Sequence, residues 1–159
     1  MEPMIEDRAE QPYVGVRRVI TMTTFSAVAD RIPEIVGWLA ERGAAPSGAP
    51  FFKYNRIDVD GELEVEVGFP VSSELAGDDI VFASVLPAGR YATVTHVGHP
   101  DGLMGVTSGL LEWGVDNGVA WDVRADGVWG ARMEVYRTAP RAEPDLGKWE
   151  TDLVIRLAD

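Results

Sequence analysis

Two stretches decide the reading of this chain: Trp38-Leu-Ala-Glu-Arg-Gly43 and Trp113-Gly-Val-Asp-Asn-Gly118. In each, a tryptophan closes an apolar run of helical period and a glycine five residues on stops it. A strand-like segment carrying a tyrosine follows, Tyr54 after the first and Tyr136 after the second, and then a further run, Glu64-Val-Glu-Val or Thr151-Asp-Leu-Val. The order predicts a duplicated strand-helix-hairpin unit, although the intervals diverge, with eleven residues from Gly43 to Tyr54 and eighteen from Gly118 to Tyr136. Small α+β units duplicated in this way pair their sheets about a pseudo-twofold axis, and the groove where the halves meet is the expected ligand site.

Outward from these stretches, Val14 to Phe25 is β-branched and threonine-rich and reads as a first strand. Ile32, Ile35, Val36 and Leu39 keep the spacing of an amphipathic helix, with Asp30 as the expected N-cap and Pro33 in the first turn. Phe51 to Arg56 and Leu63 to Val71 predict a hairpin around Asp60-Gly61. Val81 to Leu86 and Tyr91 to Val97 predict strands, and Asp101 is the expected cap of a helix running to Gly118, with Leu103, Val106, Leu110 and Trp113 on its apolar face. Trp129 to Thr138 and Trp149 to Leu157 predict the closing strands, on either side of a proline-rich loop from 139 to 148. Two helices and seven or eight mostly antiparallel strands make an α+β domain. It is expected over residues 13–159, with repeats at about 13–87 and 88–159 and a loose tail over 1–12.

The 159 residues carry 14 Lys and Arg against 26 Asp and Glu, a net charge of −12, which disfavours direct contact with a phosphate backbone. From Ile57 to Gly89 there are eight acids and no Lys or Arg, which reads as a solvated acidic face or as a field that concentrates cationic ligands. No segment is long and apolar enough to span a bilayer. The lack of cysteine excludes disulfides and thiolate chemistry, and with no signal sequence the expectation is a cytoplasmic protein.

The signatures of phosphate loops, dinucleotide sites, zincin helices and hydrolase elbows are missing. His96 and His99, with Asp101 nearby, are too few for a metal site, so neither metal nor cofactor is expected. Met133-Glu-Val-Tyr136 is more telling. Strand alternation sends Glu134 and Tyr136 to one side, as it does Phe52 and Tyr54, or Glu64 and Glu66, in the first half. If both hairpins face the groove, its wall sets carboxylates among aromatic planes, which suits a flat lipophilic cation. The competing reading pairs Glu134 with Arg132 or Arg137 on an exposed strand, and places Trp38 and Trp113 in the core.

Gly48-Ala-Pro-Phe-Phe-Lys-Tyr54, Glu64-Val-Glu-Val-Gly-Phe-Pro-Val71, Leu86-Pro-Ala-Gly-Arg-Tyr-Ala92, His96-Val-Gly98, Met133-Glu-Val-Tyr136 and Trp149-Glu-Thr-Asp-Leu153 fall in order along the chain. Over residues 13 to 158 it resembles the GyrI-like small-molecule-binding family, the effector-binding domain of AraC-type and multidrug-responsive transcription activators. The resemblance implies a duplicated β-α-β-β module, an eight-stranded sheet with two helices and a cleft at the pseudo-twofold. It also implies that the family's cleft glutamate falls on Glu134, beside Tyr136. The chain departs at Gly98-His99-Pro100, where the family has Gly-Pro-Tyr, and the twelve preceding residues cannot hold a helix-turn-helix, so a stand-alone copy is expected.

The expected function is binding of hydrophobic, cationic aromatic small molecules, for drug sensing or sequestration. Glu134 is the charge partner, Tyr136 and Tyr54 are walls, and Phe52, Glu66, Phe69 and Trp129 are further lining. The alternative is a hydrolase that opens cyclopropane-bearing genotoxins, with Glu134 as general base and Tyr136 in support. A third reading is a protein-binding inhibitor that uses its acidic surface.

Overall fold

The computed structural model describes residues 2–58, 61–139 and 142–159. Strands β1 (Met4–Arg8) and β2 (Gln11–Ile20) are followed by the single-turn helix α1 (Ser26–Ala29) and by α2 (Ile32–Glu41). Then come β3 (Phe51–Ile57), β4 (Leu63–Pro70), β5 (Phe82–Leu86) and β6 (Gly89–Val97), helix α3 (Leu103–Asp116), β7 (Arg132–Tyr136) and β8 (Glu150–Arg156). The eight strands form one sheet in the order β1-β6-β8-β7-β3-β4-β2-β5, and every neighbouring pair is antiparallel.

That order reads the same from the centre outward: β3-β4-β2-β5 on one side corresponds to β7-β8-β6-β1 on the other. The two long helices also end alike. Gly43 (φ 67°) and Gly118 (φ 69°) adopt the left-handed conformation that a residue with a Cβ resists. Behind them Ala44 N–H donates to Leu39 O and Val119 N–H to Gly114 O, the six-to-one bond that closes a helix C-terminus. The Trp-to-Gly spacing therefore encodes one helix ending, used twice.

Met4–Arg8, expected within a loose tail, is an edge strand that pairs with β6 from Met4↔Thr93 to Arg8↔Gly89. Its alternating charges hid it, because an edge strand is held by its backbone ladder and profits from charged side chains. Arg8 also lies over the Tyr91 ring at 5.5 Å. The first strand ends at Ile20 instead of continuing to Phe25, and the polar run that follows turns into α1. Asp30 does not cap α2: the capping position is Arg31, with no side-chain cap bond. Asp101 does not cap α3 either. It sits in a 3-10 turn, Pro100–Gly102, where His99 Nδ1 accepts from the Asp101 N–H. Of the turn expected at Asp60-Gly61, Asp60 lies outside the described residues.

One face of the sheet carries both long helices. Ile35 and Leu39 of α2 are buried with Val16, Val65 and Val67, and Leu110 of α3 with Ala92, Val94, Leu153 and Ile155. The opposite face has its own cluster, with Tyr13, Phe51, Tyr91, Met133 and Val154. Because α2 packs over β2 and β4 and α3 over β6, the central strands β3 and β7 lie between the helices.

Candidate functional site

Cross-strand partners share a face of a sheet, so pairing register traces single rows of side chains across it. One row runs Val16, Val67, Phe52, Glu134, Leu153, Val94. A carboxylate therefore stands mid-sheet among apolar neighbours. The pseudo-twofold passes between Phe52 and Glu134, and it relates Tyr54 to Tyr136, Tyr13 to Tyr91, and Pro50 to Arg132. The duplication thus delivers two equivalent tyrosines to the centre, whereas the charge between them comes from one half alone.

Both tyrosines use it. Tyr54 O–H and Tyr136 O–H donate to the same oxygen, Glu134 Oε1, at 2.5 Å and 2.8 Å. Burial and the adjacent Glu134 charge raise the pKa of each phenol above the ordinary tyrosine value, so both remain protonated donors at neutral pH. Glu134 Oε2 makes no hydrogen bond among the described residues and is not sealed from solvent. Neither suspected arginine forms an ion pair with it: Arg137 lies 3.5 Å from Asp152, and the Arg132 guanidinium, although it feels the Glu134 charge, sits 4.6 Å above the Trp129 ring.

Glu134, Tyr54, Tyr136 and Phe52 line a cavity of about 810 Å³ between α3 and the α1 region. Phe25 completes the aromatic wall, stacked on Phe52 at 6.2 Å and 5°, with Tyr136 edge-on to Phe52 at 5.1 Å and 83°. The far wall is a second stripe of α3, Met104, Thr107, Ser108 and Leu111, beside the core stripe that the helical period reveals. Met22 and Met104 lie at the cavity while remaining substantially exposed, and methionine's flexible thioether lets such a wall fit different shapes. A cavity of this size lined by aromatic and apolar groups with one carboxylate is suited to a drug-sized ligand.

The other expected lining residues lie elsewhere. Glu66 pairs in register with Lys53, not with Phe52 or Tyr54, so it points to the opposite face. There it accepts from Tyr13 O–H and from Asn55 Nδ2 (2.6 Å), with Lys53 Nζ at 3.6 Å. Phe69 is buried in the cluster beneath α2, outside the cavity wall, and Trp129 stands behind Arg132. Among the described residues no acid of the 57–89 stretch lines the cavity. Instead Asp78 is a structural acid, held to a pKa of about 2 by the N–H groups of Val81 and Ile80 and by Trp38 Nε1.

Phe25, Met22 and the Met104 stripe are lining that the sequence reading does not include, and Arg132 enters that reading only as an ion-pair partner of Glu134. Phe25 and Met22 lie in an irregular turn, whereas the i, i+3, i+7 spacing of Met104, Thr107 and Leu111 and the i, i+2 spacing of Arg132 and Glu134 are open to detection. His96 Nε2 meets the His99 carbonyl at 3.0 Å, and no group of three or more His, Asp or Glu side chains placed to hold a metal occurs among the described residues.

A sheet with a helix over each half and a ligand-sized cleft at its pseudo-twofold defines a small-molecule-binding architecture. The chain belongs to the GyrI-like family, whose small molecule binding domain matches residues 1–158. Among solved structures it is similar to the EcmrR C-terminal domain, with a TM-score of 0.79 at 19% identity, covering 99% of this chain and 98% of that one. It is also similar to EcmrR in a DNA complex, with a TM-score of 0.83 at 20% identity. There 99% of this chain matches 57% of the EcmrR chain, so this chain spans little more than half its length. SAV2435 bound to tetraphenylphosphonium gives a TM-score of 0.63 at 12% identity, covering 99% of this chain and 94% of that one. At such identities the likeness is one of fold. No curated protein matches the chain.

Proposed function

We propose that this domain binds hydrophobic, cationic aromatic molecules in the central cleft and serves the cytoplasm as a multidrug sensor or sequestering protein. One observation carries the reading: Glu134 lines an aromatic cavity, fixed through Oε1 by two tyrosines, while among the described residues Oε2 has no hydrogen bond and no ion pair. A carboxylate in that position supplies a counter-charge whose strength grows as the ligand displaces water, and the rings of Phe25, Phe52 and Tyr136 offer faces and edges to a flat body. The absence of cysteine fits a reducing compartment. The SAV2435 complex with a lipophilic cation adds support by analogy.

The test is Glu134→Gln, which preserves shape and removes charge. Titrated with tetraphenylphosphonium and with neutral triphenylphosphine oxide, the variant should lose about 2 to 5 kcal/mol toward the cation and less than about 1 toward the neutral compound. No weakening of either would remove Glu134 from the binding site. Net addition of water to a cyclopropane-bearing alkylating agent over many turnovers, read by mass, would replace the binder with a hydrolase that uses the same carboxylate.

A further inference from the structure

The cleft holds a cation of its own. Arg132 and Glu134 are two residues apart on β7, so both side chains leave the same face, and both line the cavity. The neighbouring arginines of these strands are occupied: Arg137 by Asp152, and Arg156 by Asp122, Asp159 and the Ala88 carbonyl. Arg132 makes no hydrogen bond or ion pair among the described residues, and its guanidinium rests on Trp129. Among the described residues none of its nitrogens is sealed in the protein, and the residue lines the cavity. Burial works against its charge, with Tyr54 and Glu134 acting in the other direction.

A pocket made only for lipophilic cations gains nothing from a half-buried guanidinium, which repels the ligand and is itself partly desolvated. The equivalent position in the other half is Pro50, so the fold does not require a charge there. The guanidinium lies over the Trp129 ring at 4.6 Å, a contact that restrains it, and its planar fork is the shape that receives a carboxylate through two parallel N–H bonds.

We infer that the cleft selects amphoteric aromatic ligands, in which a cationic nitrogen meets Glu134 while a carboxylate on the same body meets Arg132. This rests on the cleft being the binding site proposed above, and it makes Arg132 the residue that sorts zwitterions from plain cations.

Two dyes on one body separate the ideas: a rhodamine methyl ester, a pure cation, and its free acid, a zwitterion at neutral pH. Fluorescence anisotropy with the full chain should show the acid binding about tenfold tighter than the ester. Arg132→Gln should abolish that preference by weakening the acid and, with the repelling charge gone, tightening the ester. Arg132→Lys, which keeps the charge and loses the fork, should retain part of the preference, and its circular dichroism and urea-unfolding midpoint should match the wild type. An ester that binds wild type as well as the acid, or an Arg132→Gln variant that loses both dyes equally, overturns the inference and leaves the cation reading standing. If neither dye binds wild type, the cleft reading falls and this one with it.

Discussion

Glu66 and Glu134 are the same residue in two settings, on opposite faces of one sheet. Each accepts a tyrosine O–H, but the cross-strand neighbours of Glu66 are Arg17 and Lys53, whereas those of Glu134 are Phe52 and Leu153. At Glu66 the shell is closed: Tyr13 serves one oxygen, Asn55 the other, Lys53 supplies a counter-charge, and the residue is 4% exposed. At Glu134, which lines the cavity, two donors converge on one oxygen and leave the second without a hydrogen bond among the described residues. A satisfied buried carboxylate holds a structure together, whereas one satisfied on one side only is poised for something that arrives.

The sharpest way to break this contrast is to remove each carboxylate. Glu66→Ala leaves the Lys53 ammonium buried without its partner and should destabilise the fold by about 3 to 5 kcal/mol in urea unfolding. Glu134→Ala leaves two hydroxyls that cavity water can serve, and should change stability by less than about 1.5 kcal/mol. Equal losses would mean that both sites are structural and that the cleft carboxylate has no surplus valence for a ligand.

Residue order made Glu134 legible and Glu66 misleading for one reason. Alternation tells which residues of a strand share a side, and it placed Glu134 with Tyr136 and Phe52 with Tyr54 correctly. It does not tell which side faces the cleft, because that depends on pairing register, and a slip of one residue exchanges the faces. Glu66 stands opposite Lys53 and Val67 opposite Phe52, a fact carried by tertiary pairing alone. The helices and their glycine ends were legible because helical period and a left-handed terminator are local. Strand β1 and Phe25 were not: one owes its conformation to β6, eighty-odd residues away, and the other to a turn without periodicity.

Alkaline titration gives a second, smaller test. All four tyrosines have pKa values raised by burial, and Glu66 raises Tyr13 further as Glu134 does Tyr54 and Tyr136. A folded-state pKa above the unfolded value means stability that is complete below about pH 10 and is lost as pH rises past it. Absorbance at the phenolate band should therefore stay flat through pH 10 and rise in one step with unfolding measured by circular dichroism. An early, non-cooperative rise of one or two phenolates that a bound ligand suppresses would locate them at the cleft and show that Tyr54 and Tyr136 are less enclosed than Tyr13.

The smallest effect separates the networks one hydroxyl at a time. Tyr13→Phe deprives a sealed carboxylate oxygen of its donor, and an unmet buried acceptor costs about 1 to 3 kcal/mol. Tyr136→Phe leaves Glu134 Oε1 with Tyr54, and water in the cavity can replace the lost bond, so about 0.5 to 1.5 kcal/mol is expected. The ranges overlap, which is why the pair needs a second readout. Addition of a cationic aromatic ligand should raise the melting temperature of Tyr13→Phe as much as that of wild type, because its missing bond lies on the far face. The same ligand should raise that of Tyr136→Phe by less, since the carboxylate it meets is held by one tyrosine instead of two. Equal ligand-induced shifts in both variants would mean that Tyr136 packs against the cleft without orienting its charge, and the assignment of Oε1 as anchor and Oε2 as receptor would have to be given up.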